Sequence, residues 1–234
     1  RGLFFGENMK QPIISLTTDF GDTFACAQLE TVIHVLNPKV KFIIASNEAT
    51  PFSILEGAFI LSKFYSLTPK NSIHIAVIDP RVGSSRQGII LKTNNYWFVG
   101  PDNGSLFPAA KADSIQQVYV INEDRLGHSL SNTFHGRDVF AKVAAYLSLD
   151  KDPLGFADPI SVKELTSLEF IENQILHIDP YGNIKLSSVP QDLNYGDELK
   201  IKFSNQIIKV PFCKTFSDVQ PDKLLIYLGS HQTL

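Results

Sequence analysis

The stretch IHIAVIDPRVGSSR, Ile73 to Arg86, sets the fold class. An apolar run ends abruptly in Asp79-Pro80 and passes through Gly83-Ser84-Ser85 to an arginine, the pattern of a buried strand entering a tight loop. In an open α/β sheet, ligands sit at the carboxyl ends of the strands, so Asp79 and Arg86 are placed to meet a substrate. Two later segments, GPDNGSL from Gly100 and NTFHGRDVF from Asn132, carry the same kind of polar cluster at the edge of apolar runs. The three are read as walls of one pocket.

Upstream, PIISLTT (Pro12 to Thr18) is a β-branched strand that delivers Asp19-Phe20-Gly21 to its carboxyl end. From Thr23 to Asn37, Leu29, Val32, Ile33 and Leu36 form one helical face that stops before Pro38. Lys41 to Ala45 reads as a second strand, and Thr50-Pro51 introduces a helix through about Tyr65. The β-α-β-α-β order predicts a parallel sheet with helices against it. Downstream, Gly88 to Thr93 and Tyr96 to Val99 flank Asn94-Asn95, a dipeptide suited to a two-residue hairpin turn with positive φ. That hairpin brings Gly100 to Gly104 back beside Asp79. Val118 to Ile121 is one more strand. The helix after His135 gathers Phe140, Val143, Ala144 and Leu147 on one face, and its first free N–H groups favour an anion or an acceptor oxygen. From Leu154 to Thr166 the pattern loosens into Pro, Gly, Asp and Ser. Short strands follow at Ile175 to Ile178, Ile184 to Leu186, Glu198 to Phe203, Gln206 to Val210 and Leu224 to Leu228. The expected architecture is an α/β N-terminal domain over 9–167, a mostly parallel sheet with flanking helices, and a smaller all-β C-terminal domain over 168–234.

With 234 residues and 26.0 kDa, the chain can bury a core without disulfide or metal staples. A net charge of -3, a pI near 6.1 and no run of lysine or arginine argue against a nucleic-acid groove or an anionic membrane surface. A small-molecule partner is the default. Cys26 and Cys213 lie in unlike segments, which a reducing compartment permits. No apolar run has the length of a membrane helix or the core of a signal peptide, so a soluble, cytoplasmic protein is expected. Met9 is the only methionine, and Arg1 to Asn8 are left out of the fold reading.

Asp79, Arg86 and His135 form the sharpest constellation. A carboxylate beside a guanidinium stays ionised, while an imidazole exchanges a proton near neutral pH, so the three suit holding and polarising a water. The same spacing equally allows Asp79 and Arg86 merely to pin a loop. A metal site ranks well below the water-binding reading, since no H-x-x-x-H, Cys cluster or facial arrangement is present. Asp19 and Asp179 end apolar strands, where a carboxylate can take two ribose hydroxyls or an amino-acid ammonium, or simply cap the next turn. For Asp179, in HIDPYGN, the turn reading is strong. Phe52, Phe134, Tyr181 and Phe216 lie in loop-like settings and suit stacking on a flat ring, although isolated aromatics are more often core. His34, His74 and His177 fall inside regular elements as packing residues, and Arg81 adds a cation near the pocket or a solvated side chain.

Five motifs in order, TTDFG (Thr17 to Gly21), DPRVGSSR (Asp79 to Arg86), VGPDNG (Val99 to Gly104), TFHGRD (Thr133 to Asp138) and DPYGN (Asp179 to Asn183), can be named together. With them the chain resembles the S-adenosyl-L-methionine (SAM) hydroxide adenosyltransferases, the hydrolase branch of the family that also holds the fluorinase and chlorinase enzymes. The resemblance implies a homotrimer with active sites between the α/β domain of one subunit and the β domain of its neighbour. It implies attack of water or hydroxide on the 5′ carbon of SAM, giving adenosine and L-methionine, with SAM as substrate and neither cofactor nor metal. By motif, Asp79, Arg86 and His135 match the hydrolytic triad. Asp19 matches the residue that holds the ribose hydroxyls, with Phe52 and Phe134 around the sugar. Asp179 resembles the residue that takes the methionine ammonium and Asn183 an adenine contact. Tyr181 and Phe216 resemble the rings flanking adenine, and Ser230 in YLGS the serine at the adenine or methionine end. Gly136 stands where the halogenase branch carries a hydroxyl side chain, which favours hydrolysis over halide-dependent transfer. Three departures accompany the match: Arg81 replaces a usual glycine, the Asp22-Thr23-Phe24 loop is short, and relatives continue beyond the serine with another strand. A non-catalytic SAM or adenosine binder is the alternative from another class.

Overall fold

The computed structural model describes residues 11–127, 131–188 and 192–229, which fall into two compact units, 1–169 and 170–234. In the first, β1 (Ile13–Thr18), α1 (Thr23–Leu36), β2 (Lys41–Ser46), α2 (Ile54–Phe64) and β3 (Ile73–Val77) realise the alternation expected from the apolar periods. Next come β4 (Gly88–Thr93), β5 (Trp97–Pro101), α3 (Phe107–Ala112), β6 (Ile115–Ile121), α4 (Ala141–Ser148) and β7 (Ala157–Ile160). The seven strands form one sheet in the order β2-β1-β3-β5-β4-β6-β7. Pairing is parallel from β2 through β5 and antiparallel at β5-β4, β4-β6 and β6-β7.

Alternation along β1 and β3 decides what each face meets. Ile14, Leu16, Ile73, Ile75 and Val77 pack with Leu29 and Ile33 of α1 and Val143 and Ala144 of α4, while Ala76, Leu91 and Phe98 pack with Leu61 of α2 and Ala109 of α3. Helix starts are locally encoded. Asp22 accepts from the N–H of Ala25 at 2.9 Å, and Ser53 accepts from the N–H of Glu56 at 3.4 Å.

Strand direction sets the site's place. With β4 antiparallel to both β5 and β6, the carboxyl ends of β1, β3, β5 and β6 and the amino end of β4 share one edge of the sheet. Asp19, Asp79, Asn103 and Glu123 follow those carboxyl ends, and Arg86 precedes β4. Thr18 Oγ1 donates to the carbonyl of Val77 at 2.9 Å, tying the ends of β1 and β3 together. The expected return of the hairpin to Asp79 is realised through Asn103, whose amide donates to the carbonyl of Ile78 at 2.8 Å.

The β4-β5 turn differs from expectation. Positive φ does not occur at Asn94 or Asn95. Instead the Asp113 carboxylate clamps the turn, accepting from the Asn95 N–H and amide (2.8 and 2.6 Å) and from Thr93 Oγ1 (2.6 Å). These bonds hold the Asp113 carboxyl below its ordinary range against the opposing effect of burial, which is the largest single influence.

The second unit holds two antiparallel pairs, β8 (Ile175–Ile178) with β9 (Ile184–Leu186) and β10 (Glu198–Phe203) with β11 (Gln206–Pro211). Among the described residues Leu224 to Leu228, expected as a strand, makes a single bridge, from Ile226 to Phe212, and these two pack with Val210. Among the described residues no helix is long and apolar enough to cross a membrane.

Candidate active site

Arg86 grips Asp79 from two directions. Its Nε donates to Asp79 Oδ1 at 2.9 Å and its Nη2 to Oδ2, a fork that matches carboxylate geometry. The same Nη2 lies 3.1 Å from His135 Nδ1. Because a guanidinium only donates, this contact is a hydrogen bond in the tautomer whose Nδ1 carries the lone pair. Both side chains of the ion pair are 6 % exposed and that of His135 8 %. The guanidinium also lies over the Phe140 ring, 5.4 Å from its centroid. The sequence-read trio is therefore one contiguous cluster, with the Asp79–Arg86 fork at its centre and His135 against the guanidinium.

Two loops must touch to make it. Gly83 has φ +76, and a Cβ there would come within 2.5 Å of the carbonyl oxygen of Asn132, so only glycine lets the loop carrying Asp79 and Arg86 close on the loop before His135. Beyond His135 the chain enters a single π turn, Gly136–Phe140, in which the N–H of Ala141 reaches the carbonyl of Gly136. Asp138 in that turn takes a fork from Arg137 (2.7 and 2.9 Å) and the N–H of Ser131 (2.8 Å), holding down the segment that presents Phe134 and His135. The Arg137 bonds hold its carboxyl below the ordinary range.

Asp79 and His135 face a cavity of about 260 Å³, which is also lined by Asp19, Phe20, Pro51, Phe52, Val77, Val82, Thr133, Phe134 and Gly136. The three segments read as pocket walls contribute unequally. The Asp79 loop and the Thr133–Gly136 segment line the cavity, and the Gly100 segment does not, serving instead through the Asn103 brace. Asp19 Oδ2 accepts from the N–H of Phe52 at 2.7 Å, fixing a backbone of φ +67 that leaves the Phe52 ring 71 % exposed. Phe134 meets Phe20 edge to face at 5.7 Å. The cavity thus pairs apolar walls with four polar side chains, Asp19, Asp79, Thr133 and His135, the composition of a small-molecule site.

Relatives of the chain carry the same architecture under one description. The SAM hydroxide adenosyltransferase N-terminal domain matches residues 14–156, and the SAM hydroxide adenosyltransferase C-terminal domain matches residues 173–234. The chain belongs to the SAM hydroxide adenosyltransferase family. It is 36 % identical over 213 residues to the (R)-S-adenosyl-L-methionine hydrolase of Methanocaldococcus jannaschii, covering 86 % of this chain and 78 % of that protein. It is 34 % identical over 235 residues to the hydrolase of the same name from Salinispora tropica, covering 94 % and 87 %. Among solved structures, a conserved protein from Thermotoga maritima superposes with TM-score 0.85 at 26 % identity, covering 94 % of this chain and 90 % of that one.

In this SAM hydroxide adenosyltransferase chain the remaining sequence-read residues lie in the second unit. Asp179 closes its own turn: Oδ1 accepts from the N–H groups of Tyr181 and Asn183 (3.0 and 2.9 Å), and Oδ2 accepts from the Asn183 amide (2.6 Å). The Asn183 amide foremost holds that carboxyl below its usual range. Tyr181 is 91 % exposed at the turn's tip. Phe216 packs on Tyr227 with ring centroids 4.7 Å apart. Ser230 lies outside the described residues. Among the described residues no group of three or more His, Cys, Asp and Glu side chains is placed to hold a metal ion.

One acidic residue at the site escapes a motif reading. Glu123 Oε1 lies 3.6 Å from His135 Nδ1. The signal was present in VYVINED, Val118 to Asp124, which ends an apolar strand in acids as IHIAVID does.

Proposed function

We propose that this protein hydrolyses SAM to adenosine and L-methionine, with water attacking C5′ of the adenosyl group. The observation that carries the reading is the forked Arg86–Asp79 pair sharing its guanidinium with His135 on the wall of an apolar cavity. The relatives' name supports the substrate and specifies the (R) form. The sulfonium leaves as a neutral thioether, so the reaction asks the protein to orient a nucleophile, receive its proton and exclude competitors. With Arg86 occupying one edge of the Asp79 carboxylate, the remaining lone pairs suit a water O–H. His135 supplies the proton acceptor, Asp19 takes the ribose hydroxyls, and Phe52 and Phe134 flank the sugar.

The reading extends to the second unit, Phe170 to Leu234, as a separate domain. In a homotrimer this unit of a neighbouring copy supplies Asp179 for the methionine ammonium, Asn183 and Ser230 for polar contacts, and Tyr181 and Phe216 for the adenine faces. The exposed Tyr181 and Phe216 rings support that role. Two buried, unpaired cysteines support action in the reducing cytoplasm. Incubation with each sulfonium epimer of SAM, beside an Asp79→Ala variant, tests the proposal: equal release of adenosine and methionine, lost in the variant, is expected. Bound SAM without adenosine would instead favour a binding protein.

A further inference from the structure

His135 Nδ1 has two neighbours with opposite demands. Arg86 Nη2, at 3.1 Å, can only donate, and asks that Nδ1 be bare. Glu123 Oε1, at 3.6 Å, accepts when ionised, and asks that Nδ1 carry a proton. One ring nitrogen cannot satisfy both. The choice fixes the other ring nitrogen, because a neutral imidazole protonated on Nδ1 has a free lone pair on Nε2, and one bare at Nδ1 does not. Only the first form can accept a proton through Nε2.

Topology makes Glu123 a built neighbour. β4 lies between β5 and β6, so Arg86, entering β4, and Glu123, leaving β6, emerge side by side at the same sheet edge. The Glu123 side chain is 39 % exposed, whereas those of Arg86 and His135 are almost fully enclosed. Among the described residues Arg86 Nη1 is buried without a hydrogen-bond partner, so the guanidinium keeps an unused donor.

We propose that Glu123 is a positioning residue that selects the reactive tautomer of His135: its carboxylate holds a proton on Nδ1 and so frees Nε2 to accept one. This rests on the hydrolytic reading above. In the step, a water O–H bond breaks and its proton passes to His135 Nε2. The oxygen bonds to C5′, and the C5′–S electron pair leaves with sulfur as methionine. The resulting imidazolium donates from Nδ1 to Glu123 and later returns a proton to solvent. Without the carboxylate, Arg86 holds His135 in the form protonated on Nε2, and the acceptor is lost.

The test uses full-length protein with ¹⁵N-labelled histidine, and the His135 signals are assigned by comparison with His135→Asn. Ring ¹⁵N spectra should show Nδ1 protonated in the wild type and in Glu123→Asp, and Nε2 protonated in Glu123→Ala and Glu123→Gln. With SAM, both carboxylate-free variants should lose about 10²-fold in kcat with KM within about twofold, and Glu123→Asp should recover much of it. An unchanged tautomer in Glu123→Ala and Glu123→Gln, or a kcat within twofold of wild type, overturns the proposal. The spectra need no substrate, so failure of SAM hydrolysis and failure of the Glu123 role are read separately.

Discussion

Replacing Arg86 with methionine keeps an unbranched stem over the Phe140 ring and removes the cation from Asp79. Both oxygens of that carboxylate are held by Arg86, and its side chain is 6 % exposed, so the variant leaves a largely enclosed charge without its partner. Stranding one member of a buried ion pair costs about 3–5 kcal/mol. Because Asp79 lines a cavity that admits water, the lower end applies, about 3 kcal/mol, which corresponds to a fall of roughly 6–12 °C in Tm. Replacing both partners, Arg86→Met with Asp79→Leu, removes both desolvation costs, so the double variant should sit about 2–3 kcal/mol above the sum of the single effects. Urea unfolding followed by fluorescence of Trp97, the only tryptophan, reads the first unit directly because that residue lies in β5. A loss below about 0.5 kcal/mol in Arg86→Met, or additive single effects, would refute the description of the pair as buried and mutually dependent.

His74 is fully buried among Phe64, Tyr65, Tyr96 and Phe98, with Ser15 Oγ 2.7 Å from its Nδ1, and burial pushes its pKa down to about 3. The fold therefore holds the neutral ring. Its contribution is complete above the unfolded value of about 6.5 and is lost as pH falls toward 3, by up to about 4–5 kcal/mol. Between pH 6 and pH 4 the urea-derived stability of wild type should drop about 2–3 kcal/mol more than that of His74→Gln, and parallel curves would remove the assignment. Gly83→Ala should destabilise by more than the roughly 1 kcal/mol of a positive φ alone, because its Cβ meets the Asn132 carbonyl, and kcat should fall as the two triad loops part. Wild-type Tm and turnover in that variant would show that the loops do not depend on this contact.

The trio and the sheet were legible in the sequence because each rests on a local rule. Apolar runs terminated by Asp19 and Asp79 mark strand ends, and the face of Leu29 and Ile33 marks a helix. Elements that rest on tertiary context were not. The helix Phe107–Ala112 is six residues with a proline in its first turn, too short to show a period. Strand β7 reads ADPI, and its proline is tolerated because β7 is the sheet's edge. The Asn94-Asn95 turn owes its form to Asp113, which is distant in sequence. Glu123 reaches His135 only because β4 reverses direction between β5 and β6, a pairing that no local spacing encodes.

Hydrolysis of SAM in H₂¹⁸O, with mass spectrometry of both products, tests the central claim most directly. Water attack at C5′ predicts one ¹⁸O in the 5′-hydroxyl of adenosine and none in methionine. Unlabelled adenosine, or labelled homoserine accompanied by methylthioadenosine, would place the attack elsewhere and contradict the account.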